Sequence, residues 1–228
     1  MKLVALFSGG KDSCFAVYRA IKEGHTVQYL VSIISENPES YMFHYPNIEF
    51  VKYQAESMRI RLITRKTQGR KEEELHDLLD VLKELKGIDG VVVGGLASEY
   101  QRSRIKRICD SLGLKTYIPY WNIDPERYWE DILNAGFMVM IVSVACEGLD
   151  KSWLGRVIDK AGLEELKKLG KKYNFHLGFE GGEAETFVID CPLFRKRIEI
   201  LDAETRWSGD SGVYLFKRVR LVDKPNPS

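Results

Sequence analysis

A chain of 228 residues with 44% hydrophobic content is long enough for one large domain, or for a domain and a smaller companion. Its 34 basic and 33 acidic residues leave a formal charge of +1, which argues against non-specific nucleic-acid binding, where a strong basic excess is the rule. The four cysteines, Cys14, Cys109, Cys146 and Cys191, form no Cys-x-x-Cys pair, which argues against a zinc ribbon or dithiol site. With no membrane-length apolar run and no leader before the first strand pattern, a soluble cytoplasmic protein is expected.

The chain opens with the apolar run Leu3-Val4-Ala5-Leu6-Phe7, a buried strand, and passes directly into Ser8-Gly9-Gly10-Lys11-Asp12-Ser13. A helix is expected to begin near Asp12. Strand, two glycines and helix start place backbone N–H groups and a positive helix end around one concavity suited to a phosphate or pyrophosphate. Gly9 and Gly10 let the main chain approach an anion closely, Lys11 adds a mobile positive charge, and Ser8 and Ser13 add hydroxyl donors. The spacing is neither that of a Walker A loop nor that of the dinucleotide fingerprint.

Further along, residues 15–23 read as a helix closed by Gly24, and residues 26–34, rich in β-branched and aromatic side chains, as the second strand. A loop over residues 35–45 contains His44. Pro46 suits the first turn of a helix reaching about Met58. A strand over 60–67 precedes an amphipathic helix over 71–86, with Leu75, Leu78, Leu79, Leu82 and Leu85 on one face. The apolar run 88–93 reads as a central parallel strand leading into Gly94-Gly95. A helix over 98–112 is expected to start with a Ser98–Gln101 capping box, and a fifth strand covers 114–118.

This alternation predicts an α/β fold: a five-stranded parallel sheet with helices on both faces. Ligands of such sheets sit beyond the carboxyl ends of the strands. That places the loop 8–13, the end of the second strand at Ser32 and Ile33, and Gly94-Gly95 at one edge. From Trp121 onward the character changes. A helix over 125–134, a strand over 137–145, a helix over 163–173, an alternating segment 187–190 and a hairpin of 196–205 with 213–222 predict a smaller α+β domain. The expected domains are therefore 1–120, binding nucleotide, and 121–228, binding substrate.

The string SGGKDS resembles the PP-loop of the ATP pyrophosphatases, which cleave ATP between its α and β phosphates. Four stretches together resemble the diphthine–ammonia ligase family within that superfamily. They are Ser8 to Cys14; Gly94-Gly95-Leu96-Ala97-Ser98-Glu99-Tyr100-Gln101-Arg102; Glu147-Gly148-Leu149-Asp150 with Leu154-Gly155; and Glu180-Gly181-Gly182-Glu183-Ala184-Glu185-Thr186-Phe187-Val188-Ile189-Asp190 with Cys191-Pro192-Leu193-Phe194. Only Ala184 departs visibly, standing where relatives carry a larger residue. The resemblance implies an adenine-nucleotide α-hydrolase-like first domain. It also implies amidation of the diphthine carboxylate on elongation factor 2, using ATP and free ammonium through an acyl-adenylate, with AMP and pyrophosphate as products. The rival readings are another PP-loop enzyme that modifies tRNA and a nucleotide-binding module without chemistry.

Within that reading Ser8, Gly9, Gly10, Lys11 and Ser13 are expected to hold the β and γ phosphates. Asp12 either contributes to a Mg²⁺ site or caps the helix. Ser32 and Ile33 are expected against adenine or ribose, His44 either closes over the nucleotide or is solvated, and Gly94 and Gly95 allow close approach of the backbone. Arg102, in preference to Arg104, is expected to neutralise α-phosphate charge, with Glu99, Tyr100 and Gln101 as first-turn substrate contacts. Glu180, Gly181, Gly182, Glu183, Glu185 and Thr186 are expected to form a substrate segment. Its glutamates, with Trp121 or Phe179, would read the quaternary ammonium of diphthine or bind ammonium. The alternative is a solvated acidic turn.

Overall fold

The structure, a computed structural model, describes residues 1–35, 46–68, 73–95 and 99–225. By internal packing the chain forms two compact units, Met1–Ser8 with Asp12–Trp121, and Gly9–Lys11 with Asn122–Ser228.

The first unit is built on strands β1 (Lys2–Leu6), β2 (Thr26–Ser35), β3 (Arg61–Thr67), β4 (Gly90–Val92) and β5 (Lys115–Tyr117). All neighbours are parallel, in the order β3-β2-β1-β4-β5. The helices are α1 (Lys11–Lys22), α2 (Val51–Met58), α3 (Glu73–Glu84) and α4 (Glu99–Ser111). Strand alternation divides the core between two faces. Val4, Val31, Ile33 and Val91 pack on one face with Leu78 and Leu82 of α3 and Ile105, Ile108 and Cys109 of α4. Ala5 and its register partner Leu30 turn to the other face, and both are fully buried. The central strands β1 and β4 are short and largely buried on both faces, as a sheet covered by helices requires, while the edge strands β3 and β5 carry polar, partly exposed positions.

The expected helix from Pro46 to Met58 is divided. Asn47 takes a left-handed conformation (φ 65°), a short 3₁₀ turn follows over Ile48–Phe50, and the α-helix begins only at Val51. Asparagine enters that region more readily than most residues, and a 3₁₀ turn commonly precedes an α-helix. Ser98, His44 and the turn before α4 lie outside the described residues.

The second unit is an antiparallel sheet with two helices. Its strands are β6 (Met138–Val144), β7 (Val157–Ile158), β8 (Ala184–Asp190), β9 (Lys196–Ser208) and β10 (Ser211–Asp223), and its helices α5 (Pro125–Asn134) and α6 (Lys160–Tyr173). Strand β6 pairs with β7, β8 and β10, and β10 pairs with β9. Asp124 and Asp159 cap the two helices, accepting from Arg127 N–H at 2.9 Å and Gly162 N–H at 2.7 Å. The fully buried Trp129, Ile132, Ile141, Phe187 and Val188 form much of its interior. The hairpin is longer than its sequence pattern suggests. Its ladder runs to the Ser208–Ser211 pair because Gly209 (φ 61°) lets the chain reverse in two residues. Strand β7 is only two residues long and carries no periodic signal.

Candidate functional site

The carboxyl end of β1 meets α1 through two glycines. Gly9 adopts φ 81°, which a side chain would oppose, and the helix begins at Lys11. Within the first unit, Ser8 N–H donates to Ser13 Oγ at 3.3 Å, and the two hydroxyl oxygens also lie 3.3 Å apart. Ser13 is buried, and Asp12 stands in the first turn of α1. Ser32, also buried, donates its hydroxyl to Phe7 O at 2.5 Å, while Phe7 N–H donates to Val31 O at 2.8 Å. The side chain of Ser32 therefore ties the end of β2 to the end of β1, and Ile33 beside it belongs to the core.

Gly94 follows β4 and lies against the start of α1. A Cβ there would stand 2.5 Å from the Asp12 carbonyl carbon and oxygen and 2.6 Å from Ser13 N, all backbone atoms. Gly95 has φ 138° and open space around its Cβ position. Two of the predicted segments, the loop and Gly94, are thus in direct contact at the carboxyl edge of the sheet. The end of β2 reaches the same edge through Ser32.

Gly9–Lys11 pack with the second unit. Val188 N–H donates to Gly9 O at 2.9 Å, and Lys11 N–H donates to Thr186 Oγ at 3.1 Å. Thr186, expected to touch substrate, here receives one of the helix-start N–H groups that has no partner inside the helix. Lys11 itself, expected as a mobile charge, is 2% exposed, and its ammonium donates to Gly178 O at 2.7 Å. Tertiary packing of an amphipathic lysine stem decides this, and no local pattern announces it.

The acidic segment has an internal use for one of its glutamates. Glu183 accepts from His176 N–H at 3.0 Å through Oε1 and from Gly181 N–H at 2.8 Å through Oε2. Its own carbonyl accepts from Ala145 N–H at 2.8 Å. Gly181 and Gly182 are exposed, and Glu180 and Glu185 are half-buried. The rings proposed for cation reading already face protein cations. The Arg102 guanidinium lies 4.1 Å from the Trp121 ring centroid, and the Lys11 ammonium 5.4 Å from that of Phe179. Glu99, Tyr100 and Gln101 form the first turn of α4, ahead of Arg102. Arg102 also helps line a shallow surface concavity with Ser103, Lys106, Arg107 and Asp110.

The cysteines are not poised as nucleophiles. Burial, with the nearby Glu183 carboxylate adding to it, pushes the Cys146 thiol up to about 11, and burial pushes Cys191 up to about 12. Burial raises Cys109 as well, and Cys14 is fully buried. At pH 8 a thiol titrating at about 11 is only about one part in a thousand thiolate, and the thiolate is the reactive form. Native protein treated with iodoacetamide at pH 8 should therefore remain unmodified by mass, and should take up four labels once unfolded. Rapid labelling of the native chain at Cys146 would contradict this.

A family model described as the diphthamide synthase N-terminal domain matches residues 1–116, and one described as the diphthamide synthase C-terminal domain matches residues 124–222. The chain belongs to the diphthamide synthase family. Relatives named diphthine–ammonia ligase include the protein of Bos taurus, 32% identical over 100% of this chain and 95% of that one. The human protein is 34% identical over 90% and 84%, and that of Danio rerio 34% identical over 98% of each. A solved chain from Methanocaldococcus jannaschii, described as a predicted subunit of tRNA methyltransferase, aligns with a TM-score of 0.47 at 15% identity, over 84% of this chain and 98% of that one. The two family models cover both units, so the diphthamide synthase likeness extends beyond the loop common to PP-loop enzymes. Among the described residues no helix is long and apolar enough to cross a membrane.

Proposed function

We propose that this chain is a cytoplasmic ligase that amidates the diphthine carboxylate of elongation factor 2, using ATP and ammonium. The observation that carries the reading is the start of α1 held against Gly94 by backbone contact, in a chain whose relatives at 32–34% identity are named diphthine–ammonia ligase. Residues 1–120 would bind the nucleotide and 121–228 the modified side chain.

A carboxylate does not exchange oxygen for nitrogen unaided, because oxide is a poor leaving group. In the proposed first step a diphthine carboxylate oxygen attacks the α-phosphorus of ATP. The bond from α-phosphorus to the bridging oxygen breaks, and pyrophosphate leaves with the electron pair. Ammonia then attacks the acyl carbon of the mixed anhydride and sheds a proton. AMP departs, carrying one of the original carboxylate oxygens.

Positioning and charge neutralisation supply most of such catalysis. Loop amides near the start of α1, with the Ser8 and Ser13 hydroxyls, would cradle the β and γ phosphates. Gly94 would seat the start of α1, and Gly95 would leave room for the nucleotide, beside Ser32 and Ile33, with His44 closing over it. Arg102 would meet the α-phosphate, and Glu99, Tyr100 and Gln101 the substrate. Glu180, Glu183 and Glu185 are the candidates for the trimethylammonium, and Glu183 also braces its own turn. Among the described residues no cluster of three or more metal-ligating side chains is present, so a Mg²⁺ would be held by Asp12 with phosphate oxygens and water completing its shell. When bound, the metal would offset phosphate charge.

The inert cysteines favour amidation over a thiol-transfer reading. The experiment is turnover of α-labelled ATP with Mg²⁺, ammonium and diphthine-bearing elongation factor 2. AMP should appear, and its formation should depend on both ammonium and the modified factor. ADP as product would refute the proposal.

A further inference from the structure

Lys11 sits in the phosphate loop, yet its side chain is spent on protein. Its ammonium lies 2.7 Å from Gly178 O, 5.4 Å from the Phe179 ring centroid and 5.7 Å from that of Trp129, all within one unit. A carbonyl and two π faces are a chemistry that suits an ammonium withdrawn from water.

The turn supplying these partners is held from several sides. Phe179 has φ 64°, a region that bulky side chains rarely enter and that persists only where the surroundings over-determine it. Its N–H donates to His176 O at 2.8 Å, and its carbonyl accepts from Gly182 N–H at 3.4 Å. The Trp129 indole N–H donates to Leu177 O at 2.9 Å, and the Trp129 and Phe179 rings meet edge to face at 5.9 Å. Glu183 clamps the turn at His176 and Gly181. Strand β8, which follows the turn, supplies the Thr186 hydroxyl and the Val188 N–H that hold Lys11 N–H and Gly9 O. Gly9–Lys11 is therefore fastened at three points, two through backbone and one through the ammonium.

We propose that Lys11 is a positioning residue: its ammonium, caged by Gly178 O, Phe179 and Trp129 on the turn clamped by Glu183, fixes the backbone of Gly9–Lys11 for phosphate binding and is not itself a phosphate ligand. The inference rests on the ATP reading of the loop. It gives the Glu183 carboxylate, otherwise an unexplained charge in the acidic segment, a defined task. A single-sequence reading assigns Lys11 to the phosphates because its neighbours in the chain belong there.

The test uses the full chain carrying 5-fluorotryptophan, with the Trp129 ¹⁹F resonance assigned through Trp129→Phe. Without ligand, Lys11→Met should move that resonance, and no movement would overturn the cage. Saturating MgATP should leave the wild-type Trp129 resonance away from the Lys11→Met position. Its arrival there would show the ammonium leaving for the nucleotide and would overturn the proposal. In turnover well below the melting temperature, Lys11→Met should raise the KM for ATP about tenfold, the equivalent of one net hydrogen bond lost from the loop's anchorage. A lowered Tm with unchanged KM would mark a merely structural residue. Absence of ATP binding by the wild type in calorimetry would defeat the ATP reading, and the ligand-free resonance would still decide the cage.

Discussion

Replacing Gly94 with alanine is expected to weaken ATP binding by at least about tenfold while the chain still folds, the equivalent of about 1.4 kcal/mol. The added methyl would stand 2.5–2.6 Å from backbone atoms of Asp12 and Ser13, and no rotamer change can relieve it. The strand end or the start of α1 must shift. Overpacking of this kind costs about 1–3 kcal/mol. For a chain of this size each kcal/mol lowers Tm by about 2–4 °C. The shift falls on the backbone proposed to hold the phosphates, so binding should suffer beyond the loss of stability. Gly113→Ala is the control: its φ of 67° opposes a side chain, but nothing lies within 4 Å of the added Cβ. It should lower Tm and leave ATP affinity unchanged. Calorimetric titration of both variants with MgATP distinguishes them, and equal affinity of Gly94→Ala and wild type would contradict the proposed site.

Truncation of Trp129 should be strongly destabilising. The residue is fully buried and packs edge to face on Phe179, and its indole N–H satisfies Leu177 O. Removing a buried tryptophan side chain typically costs about 3–5 kcal/mol, a large part of the roughly 5–15 kcal/mol that separates folded from unfolded domains. Trp129→Phe keeps a ring near the Lys11 ammonium but loses the indole donor and part of the buried ring volume, so it should cost about 1–3 kcal/mol. Urea unfolding should order the midpoints as wild type, Trp129→Phe, Trp129→Ala. A midpoint for Trp129→Ala within error of wild type would show that the turn over residues 176–183 does not depend on it.

The parts of the fold that follow local rules were legible in the sequence. The run Leu3-Val4-Ala5-Leu6-Phe7 into two glycines gives strand, turn and helix because burial on both faces needs continuous apolarity and the turn needs a residue tolerant of positive φ. The leucine face of α3 is likewise written at helical spacing. What escaped depends on partners distant in the chain. Nothing near Lys11 says that Gly178 O will take its ammonium, 167 residues away. The bonds of Glu183 to two backbone amides need the turn to exist first. The 3₁₀ segment at Ile48–Phe50 follows from the conformation of Asn47, which composition does not reveal, and β7 is too short for any periodicity. The Gly94 contact lies between these cases. Two glycines after an apolar strand suggested a close approach, and the structure identifies what approaches Gly94 as the backbone of α1.

The central claim is tested most directly by supplying ¹⁵N-ammonium, ATP and Mg²⁺ with diphthine-bearing elongation factor 2, then isolating the modified histidine for mass spectrometry. The account predicts the amide with ¹⁵N incorporated and AMP formed in equal amount. Full ATP turnover with the carboxylate unchanged, or an amide formed without AMP, would contradict it.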